Sequence, residues 1–269
     1  MKKFKTFTRK YLCLPYGIFM FVFIVMPLII LLLYAFSVKD GTGGLSFEFT
    51  FDNFASVFKS DNLAMLGRSL LIGLITTLIC LIIGYPVAYL LADKKLRFGP
   101  TIVMLFMIPM WVNFLLRTLA TKAMFEFIGI EMGMGTVIFG MVYNYLPFMI
   151  MPIYTTISKI DYSLVEGAAD LGANSVVTFT KVIFPLSIPG VLSGITMVFT
   201  PTITTFAISK LLSGSKISLI GDYIDLQVEY MNYNVAAAIS LVIVVIVGIS
   251  MLVVNKYDKD NSTMGGGLW

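Results

Sequence analysis

EGAADLGANSVVTFTKVIFPLSIPG, residues 166–190, is a polar loop broken by glycine and proline and held between two long apolar segments. Its first half, Glu166 to Gly172, has the length of one short helix stopped by a glycine. Its second half closes on Pro185 and Pro189, which are expected to restart the chain toward a bilayer. A polar loop between such walls has the form of a docking surface. Hydrophobic residues make up 58% of the 269-residue chain and charged residues 13%, with a mean hydropathy of +0.91. Soluble domains hold roughly 45–50% apolar and 25% charged residues, so the composition predicts an integral membrane protein.

A bilayer core about 30 Å thick needs about 20 mostly apolar residues per helix. Six runs meet that length, at 15–36, 69–92, 101–120, 134–157, 186–208 and 235–254. The third carries Pro109, Asn113 and Arg117 and is the least apolar. The first has the basic start of a signal peptide but is longer than an h-region of about 7–15 residues and lacks a small-x-small site, so it reads as a retained anchor. The expected organisation is a basic segment 1–14, a single transmembrane domain 15–254 holding a cytoplasmic loop 158–187, and a cytoplasmic tail 255–269.

Short cytoplasmic loops are enriched in Lys and Arg. With the N-terminus inside, twelve of the nineteen basic residues fall on the inner side. Both termini and the 166–190 loop are then cytoplasmic, and the net charge of +4 is mostly this bias. No basic stripe with interleaved aromatics exists, so no nucleic-acid partner is expected. Cys13 and Cys80 lie at or within apolar runs, where a thiol behaves as a small hydrophobe, and neither a disulfide framework nor a metal site is expected. Prolines 86, 109, 147, 152 and 201 fall inside the expected helices, as membrane helices tolerate, and kinked helices suit a gated pathway.

The chain contains no G-x-x-x-x-G-K-[ST] phosphate loop and no histidine. None of its fifteen acids lies well inside an expected span, which argues against a proton relay. No nucleophile-base pair appears, so no catalytic site is expected, and energy would arrive from a partner.

The loop resembles the EAA loop of ABC-importer permeases, whose pattern is Glu-Ala-Ala, three residues, Gly, nine residues, Ile-x-Leu-Pro. Glu166, Gly167, Ala168, Gly172, Val182, Phe184 and Pro185 keep every spacing, with Gly for the first Ala, Val for Ile and Phe for Leu. The small Ala168, Ala169 and Gly172 would permit close backbone approach, and Leu171 would offer an apolar knob. Glu166 and Asp170, four apart, are expected on one face near the helix N-terminus, where negative charge is favoured. Segments 81–93, 108–120, 140–173 and 211–224 are similar to the permeases of spermidine/putrescine importers, and the resemblance covers most of residues 10–255.

The resemblance implies an all-α, type I ABC-importer permease fold in a bacterial cytoplasmic membrane. It implies a heterodimer with a paralogous permease, two copies of a cytoplasmic ATPase that hold ATP and Mg, and an extracytoplasmic polyamine-binding protein. This chain itself would bind no cofactor. Helix 166–172 would enter a cleft on the ATPase and transmit its closure. Polyamines are flexible polycations, so a fitting pathway offers aromatic faces and neutral oxygens. Candidates are Trp111, Asn113, Tyr143, Asn144, Tyr145, Thr204, Thr205, Phe206 and Ser209. Asp222, Asp225 and Glu229 in an outer loop would form an acidic mouth that concentrates polycations. Arg117 repels such a cargo and is expected to snorkel outward or pair with an outer carboxylate. An ABC permease for another solute and an ion-coupled secondary transporter remain open alternatives.

Overall fold

The computed structural model describes residues 14–39, 45–94 and 96–265. Nearly all of the basic segment 1–14 and the last residues of the tail lie outside the described residues. The described chain is helical apart from one hairpin, and its contacts divide it into two compact units. One comprises the residues up to Leu63 with Ile224–Val245, and the other Ala64–Tyr223 with the residues from Ile246.

The first unit begins with helix α1 (Leu14–Ala35), an apolar stretch of which only 6% is buried, leaving its surface to lipid or to another chain. A hairpin of β1 (Ser37–Lys39) and β2 (Leu45–Phe49) and the short helix α2 (Asp52–Val57) follow. The end of α1 exposes carbonyls that its own helix cannot satisfy. Two asparagines distant in sequence supply the donors. Asn53 Nδ2 donates to Ala35 O at 3.0 Å and Ser37 O at 2.8 Å, and Asn234 Nδ2 donates to Tyr34 O at 3.2 Å and Ser37 O at 2.8 Å.

The second unit holds most of α3 (Ser60–Ala92), then α4 (Gly99–Trp111), α5 (Phe114–Ile128), α6 (Met134–Ser158), α7 (Tyr162–Asp170), α8 (Ser175–Thr204) and α9 (Ala207–Leu212). Helices α10 (Ile220–Glu229) and α11 (Tyr233–Gly265) each contribute to both units. Packing of α6 against α8 forms the centre of the second unit, and small residues permit it. A Cβ added to Gly190 would fall 2.5 Å from Thr156 Oγ1 and 2.8 Å from Pro152 O, and one added to Gly194 would fall 2.7 Å from Met149 Sδ. Cys80, Ala88, Met149, Ile150, Ile153 and Val198 close one buried cluster around this contact. Ile72, Val137, Met141, Ile208, Leu212 and Leu219 close another.

Among the described residues, five helices are long and apolar enough to cross a membrane, and the pair α4 and α5 makes a sixth span only if counted together. The expected span over 101–120 is not one continuous helix, because α4 and α5 meet at 90°. At 1.5 Å per residue the 13 residues of α4 reach only about 20 Å, short of a bilayer core of about 30 Å. Pro109 weakens the end of α4, Val112 is extended, and Asn113 starts a new helix by accepting from Leu115 N at 2.9 Å.

The fifth span likewise begins at Ser175 rather than 186 and stops at Thr204 rather than 208. Pro185 does not restart the chain, since the helix is already running. A π-helical turn over Phe179–Ile183 immediately precedes it, as another over Phe21–Val25 precedes Pro27. In both cases the wider turn absorbs the clash of the proline ring with the preceding carbonyls.

Candidate functional site

The loop helix α7 is built by local chemistry at both ends. Asp161 caps it by accepting from Ser163 N at 3.1 Å, and that backbone hydrogen bond, foremost, holds the exposed carboxyl below the usual carboxylate range. Because the folded value is depressed, the cap stabilises the helix above the ordinary carboxylate pKa, and its contribution is lost as pH falls through the folded value. At the other end Gly172 N donates to Ala169 O at 2.8 Å and Ala173 N to Ala168 O at 3.0 Å, the paired bonds of a Schellman stop. Gly172 has φ of +81°, the left-handed conformation that a side chain disfavours.

These ends correct one expectation. Glu166 lies in the middle of α7 and Asp170 at its last position, so the acid at the helix N-terminus is Asp161, which sequence reading did not single out. Glu166, Gly167, Ala169, Asp170 and Gly172 are exposed, Ala168 is half-buried, and Leu171 is 90% exposed. Pro185 is exposed on α8. Beneath α7 lies a cavity of about 330 Å³ lined by Tyr89, Lys94, Tyr162, Val165, Ala169 and Thr178. The helix is thus supported over a partly hollow base, with Lys94 Nζ 5.4 Å from the centre of the Tyr162 ring.

A second feature forms where two helices are interrupted. The α4–α5 break at Val112 and Asn113 and the α8–α9 break at Thr205 and Phe206 face one cleft of about 510 Å³. Seven of the nine expected pathway residues line it: Trp111, Asn113, Asn144, Tyr145, Thr204, Thr205 and Phe206. Tyr143 instead lines two neighbouring clefts. Ser209 is buried, lies on α9 rather than on the preceding span, and is 2.7 Å from Asp222 Oδ1.

The polar groups of the cleft differ in what they have left to offer. Asn113 spends its oxygen on the α5 cap, and Thr204 bonds back to its own helix at 3.3 Å from Thr200 O. Asn144 is 2% exposed and donates Nδ2 to Gly140 O at 2.8 Å, but its Oδ1 has no donor among the described residues. A buried acceptor without a partner is costly to keep.

For Arg117, one of the two expected outcomes, pairing with an outer carboxylate, is not found among the described residues. Its guanidinium lies 5.9 Å from the centre of the Tyr143 ring. Asp222, Asp225 and Glu229 stand on helix α10 rather than in a loop. Both oxygens of Asp222 are used inside the chain, by Ser209 and by Leu219 N at 2.7 Å, which makes its first role structural. Gly221 beside it admits the Thr204 and Thr205 carbonyls, since a Cβ there would fall 2.7 Å from Thr205 O.

Residues 84–259 match the family described as binding-protein-dependent transport system inner membrane component. The chain belongs to that family. Among relatives of this inner-membrane component, the spermidine/putrescine transport system permease protein PotB of Haemophilus influenzae is 32% identical over 257 residues, 88% of this chain and 89% of the relative. The protein of the same name from Escherichia coli is 33% identical over 249 residues, 86% of this chain and 90% of the relative. A bacterial ABC transporter involved in import of the acidic polysaccharide alginate has a chain that superposes with a TM-score of 0.69 at 19% identity, covering 97% of this chain and 99% of that one. The inward-facing MetNI methionine ABC transporter gives 0.60 at 18% identity, over 76% of this chain and 99% of that one. At those identities the two structures establish the fold alone: this inner-membrane component is an all-α, multi-pass helical bundle of the kind those transporter chains have.

Proposed function

We propose that this chain forms half of the translocation pathway of an ATP-driven polyamine importer. In this reading it pairs with a paralogous permease, both termini are cytoplasmic, and α7 with Leu171 docks on one of two cytoplasmic ATPase subunits that hold ATP and Mg. A binding protein delivers spermidine or putrescine from outside, and this chain carries no catalytic site of its own. The relatives named for spermidine/putrescine transport support the cargo.

The observation that carries the reading is a cleft walled by aromatic rings and hydroxyls whose lining includes Asn144, a buried residue with an unpartnered Oδ1 that an opening of the cleft would present to cargo. An ammonium group has hydrogen-bond donors and no acceptors, so it fits that oxygen, while Trp111, Phe148 and Phe206 offer ring faces to its charge and methylenes to its chain. Interrupted membrane helices are where transporters hold cargo, because their unpaired carbonyls line a cavity rather than lipid.

Asn144→Leu keeps the side-chain size and removes the acceptor. Hydrogen bonds to charged groups contribute about 1.5–3 kcal/mol, so the KM for polyamine uptake by the assembled importer is expected to rise roughly tenfold or more, with subunit composition and basal ATP hydrolysis retained. An unchanged KM would remove Asn144 from the pathway. Arg117 beside the cleft is the observation that favours a cargo bearing an anionic group, and competition by anionic against cationic solutes for uptake separates the two readings.

A further inference from the structure

Two buried groups of complementary chemistry are left unused along one cleft. Among the described residues, Asn144 Oδ1 is an acceptor with no donor, and Arg117 Nε and Nη1 are donors with no acceptor. Both side chains line the cleft of about 510 Å³ at the helix breaks. The Asn144 amide has a fixed orientation, because its Nδ2 donates to the Gly140 carbonyl and a carbonyl only accepts. The orphan is therefore its oxygen, the atom that an N–H of Arg117 can satisfy.

Arg117 stands between two spaces. It also lines the neighbouring cleft of about 530 Å³ together with Tyr143, and its guanidinium lies over the Tyr143 ring. Tyr143 and Asn144 are consecutive on α6, so their side chains diverge by about 100° around the helix, and one arginine borders both clefts. A ring face takes up part of the charge but does not satisfy N–H groups that lie in the guanidinium plane. Orphaned donors and an orphaned acceptor each cost free energy. Bringing them together removes both costs and forms a charge-assisted hydrogen bond.

We propose that Arg117 is a resident cation of the cleft, which alternates between the Tyr143 ring and Asn144 Oδ1. In the empty, closed cleft Nε or Nη1 donates to Asn144 Oδ1, and the guanidinium fills the space at the helix breaks. In the open cleft a cargo ammonium takes the same oxygen, and Arg117 withdraws to Tyr143. The arrangement seen here, with both groups unpaired, lies between the two. Cargo must then displace a cation already present, and the arginine that repels a polycation becomes the group that seals the pathway when none is bound. The assignment rests on the polyamine reading of the cleft.

The test uses the whole importer, in liposomes with its binding protein for uptake and purified without cargo for unfolding. Arg117→Met keeps a long side chain against Tyr143 and removes the competing cation. The KM for spermidine or putrescine is therefore expected to fall about threefold or more, as loss of a competing closed state requires, and to fall less with Arg117→Lys, which keeps a cationic donor. In the Asn144→Leu background Arg117→Met is expected to leave the KM unchanged, since no oxygen is left to compete for. Without cargo, Arg117→Met is expected to lower the unfolding temperature in the native background and to leave it unchanged beside Asn144→Leu. A KM that rises or stays the same with Arg117→Met, or an unfolding shift that is equal in both backgrounds, would overturn the proposal. If the unfolding shifts depend on Asn144 while the native importer takes up no polyamine, the cargo reading falls and the Arg117–Asn144 contact stands. Polyamine uptake with a KM indifferent to Arg117 removes the resident cation alone.

Discussion

Arginine in place of Leu171 is expected to stop ATP-driven uptake by the assembled importer while leaving the chain folded in the membrane. Leu171 is 90% exposed, so the substitution removes no packing within this chain and buries no charge. It follows the last residue of α7, just before a glycine stop that fixes where the knob points. In the proposed docking, an exposed apolar side chain is worth having only if a partner buries it. Truncation of an interface anchor commonly costs about 2 kcal/mol or more, and an unpaired cation in the same pocket adds a desolvation cost. Uptake is therefore expected to fall at least about tenfold, with ATP hydrolysis by the ATPase subunits no longer tied to transport. Gly172→Ala provides the backbone counterpart. It adds no charge and meets no neighbour, yet it places a side chain at φ of +81°, so a milder loss would show that the turn as well as the knob matters. Full coupling with Leu171→Arg would place the ATPase contact elsewhere on the chain.

The second large effect is expected at Gly190. Leucine there leaves membrane insertion unaffected, because it is as apolar as any residue of the span. Its Cβ alone would lie 2.5 Å from Thr156 Oγ1 and 2.8 Å from the Pro152 carbonyl oxygen. The Thr156 hydroxyl is itself bonded to that carbonyl at 2.9 Å, and the backbone oxygen cannot rotate away, so α6 and α8 must separate. Overpacking of this kind costs about 1–3 kcal/mol, occasionally more. Because α6 carries Asn144 and Tyr145 and α8 ends at Thr204, the same separation would distort the cleft. Gly190→Leu is expected to lower the unfolding temperature of the purified importer and its uptake together. Gly167→Leu, on the exposed face of α7 where an added Cβ meets nothing, is expected to spare the unfolding temperature. A normal melting profile for Gly190→Leu would mean that the α6–α8 contact is looser than its geometry indicates.

Much of the fold was legible in the sequence because bilayer thickness sets a length that apolar runs either meet or miss. The runs at 15–36 and 134–157 correspond to α1 and α6 within a residue or so. The third run misled because hydropathy counts residues along a line and cannot register a 90° turn; the signal was present in Pro109, Val112 and Asn113, which end one helix and cap the next. The fifth run was read as starting late because the polar Asn174 to Lys181 stretch looked like loop, whereas Asn174 caps a helix that simply begins outside the apolar region.

The cleft residues were legible as chemical types, aromatic or hydroxyl-bearing near helix ends, and the structure adds which of them face one space. It does not do so for Tyr143 or Ser209, whose side chains have other neighbours. Asn53 and Asn234 gave no sequence signal at all. Their bonds to the end of α1 run to carbonyls that are 16 to 200 positions away, and no local pattern encodes such a pairing.

The central claim is that this chain moves polyamine only as part of an ATP-driven assembly. Its most direct test is uptake of radiolabelled spermidine or putrescine into liposomes, with the chain reconstituted alone, with the second permease and ATPase, and with those subunits plus the binding protein. Uptake is expected only in the complete assembly and only with ATP. Uptake by this chain alone, or none by the complete assembly while it carries another solute, would contradict it.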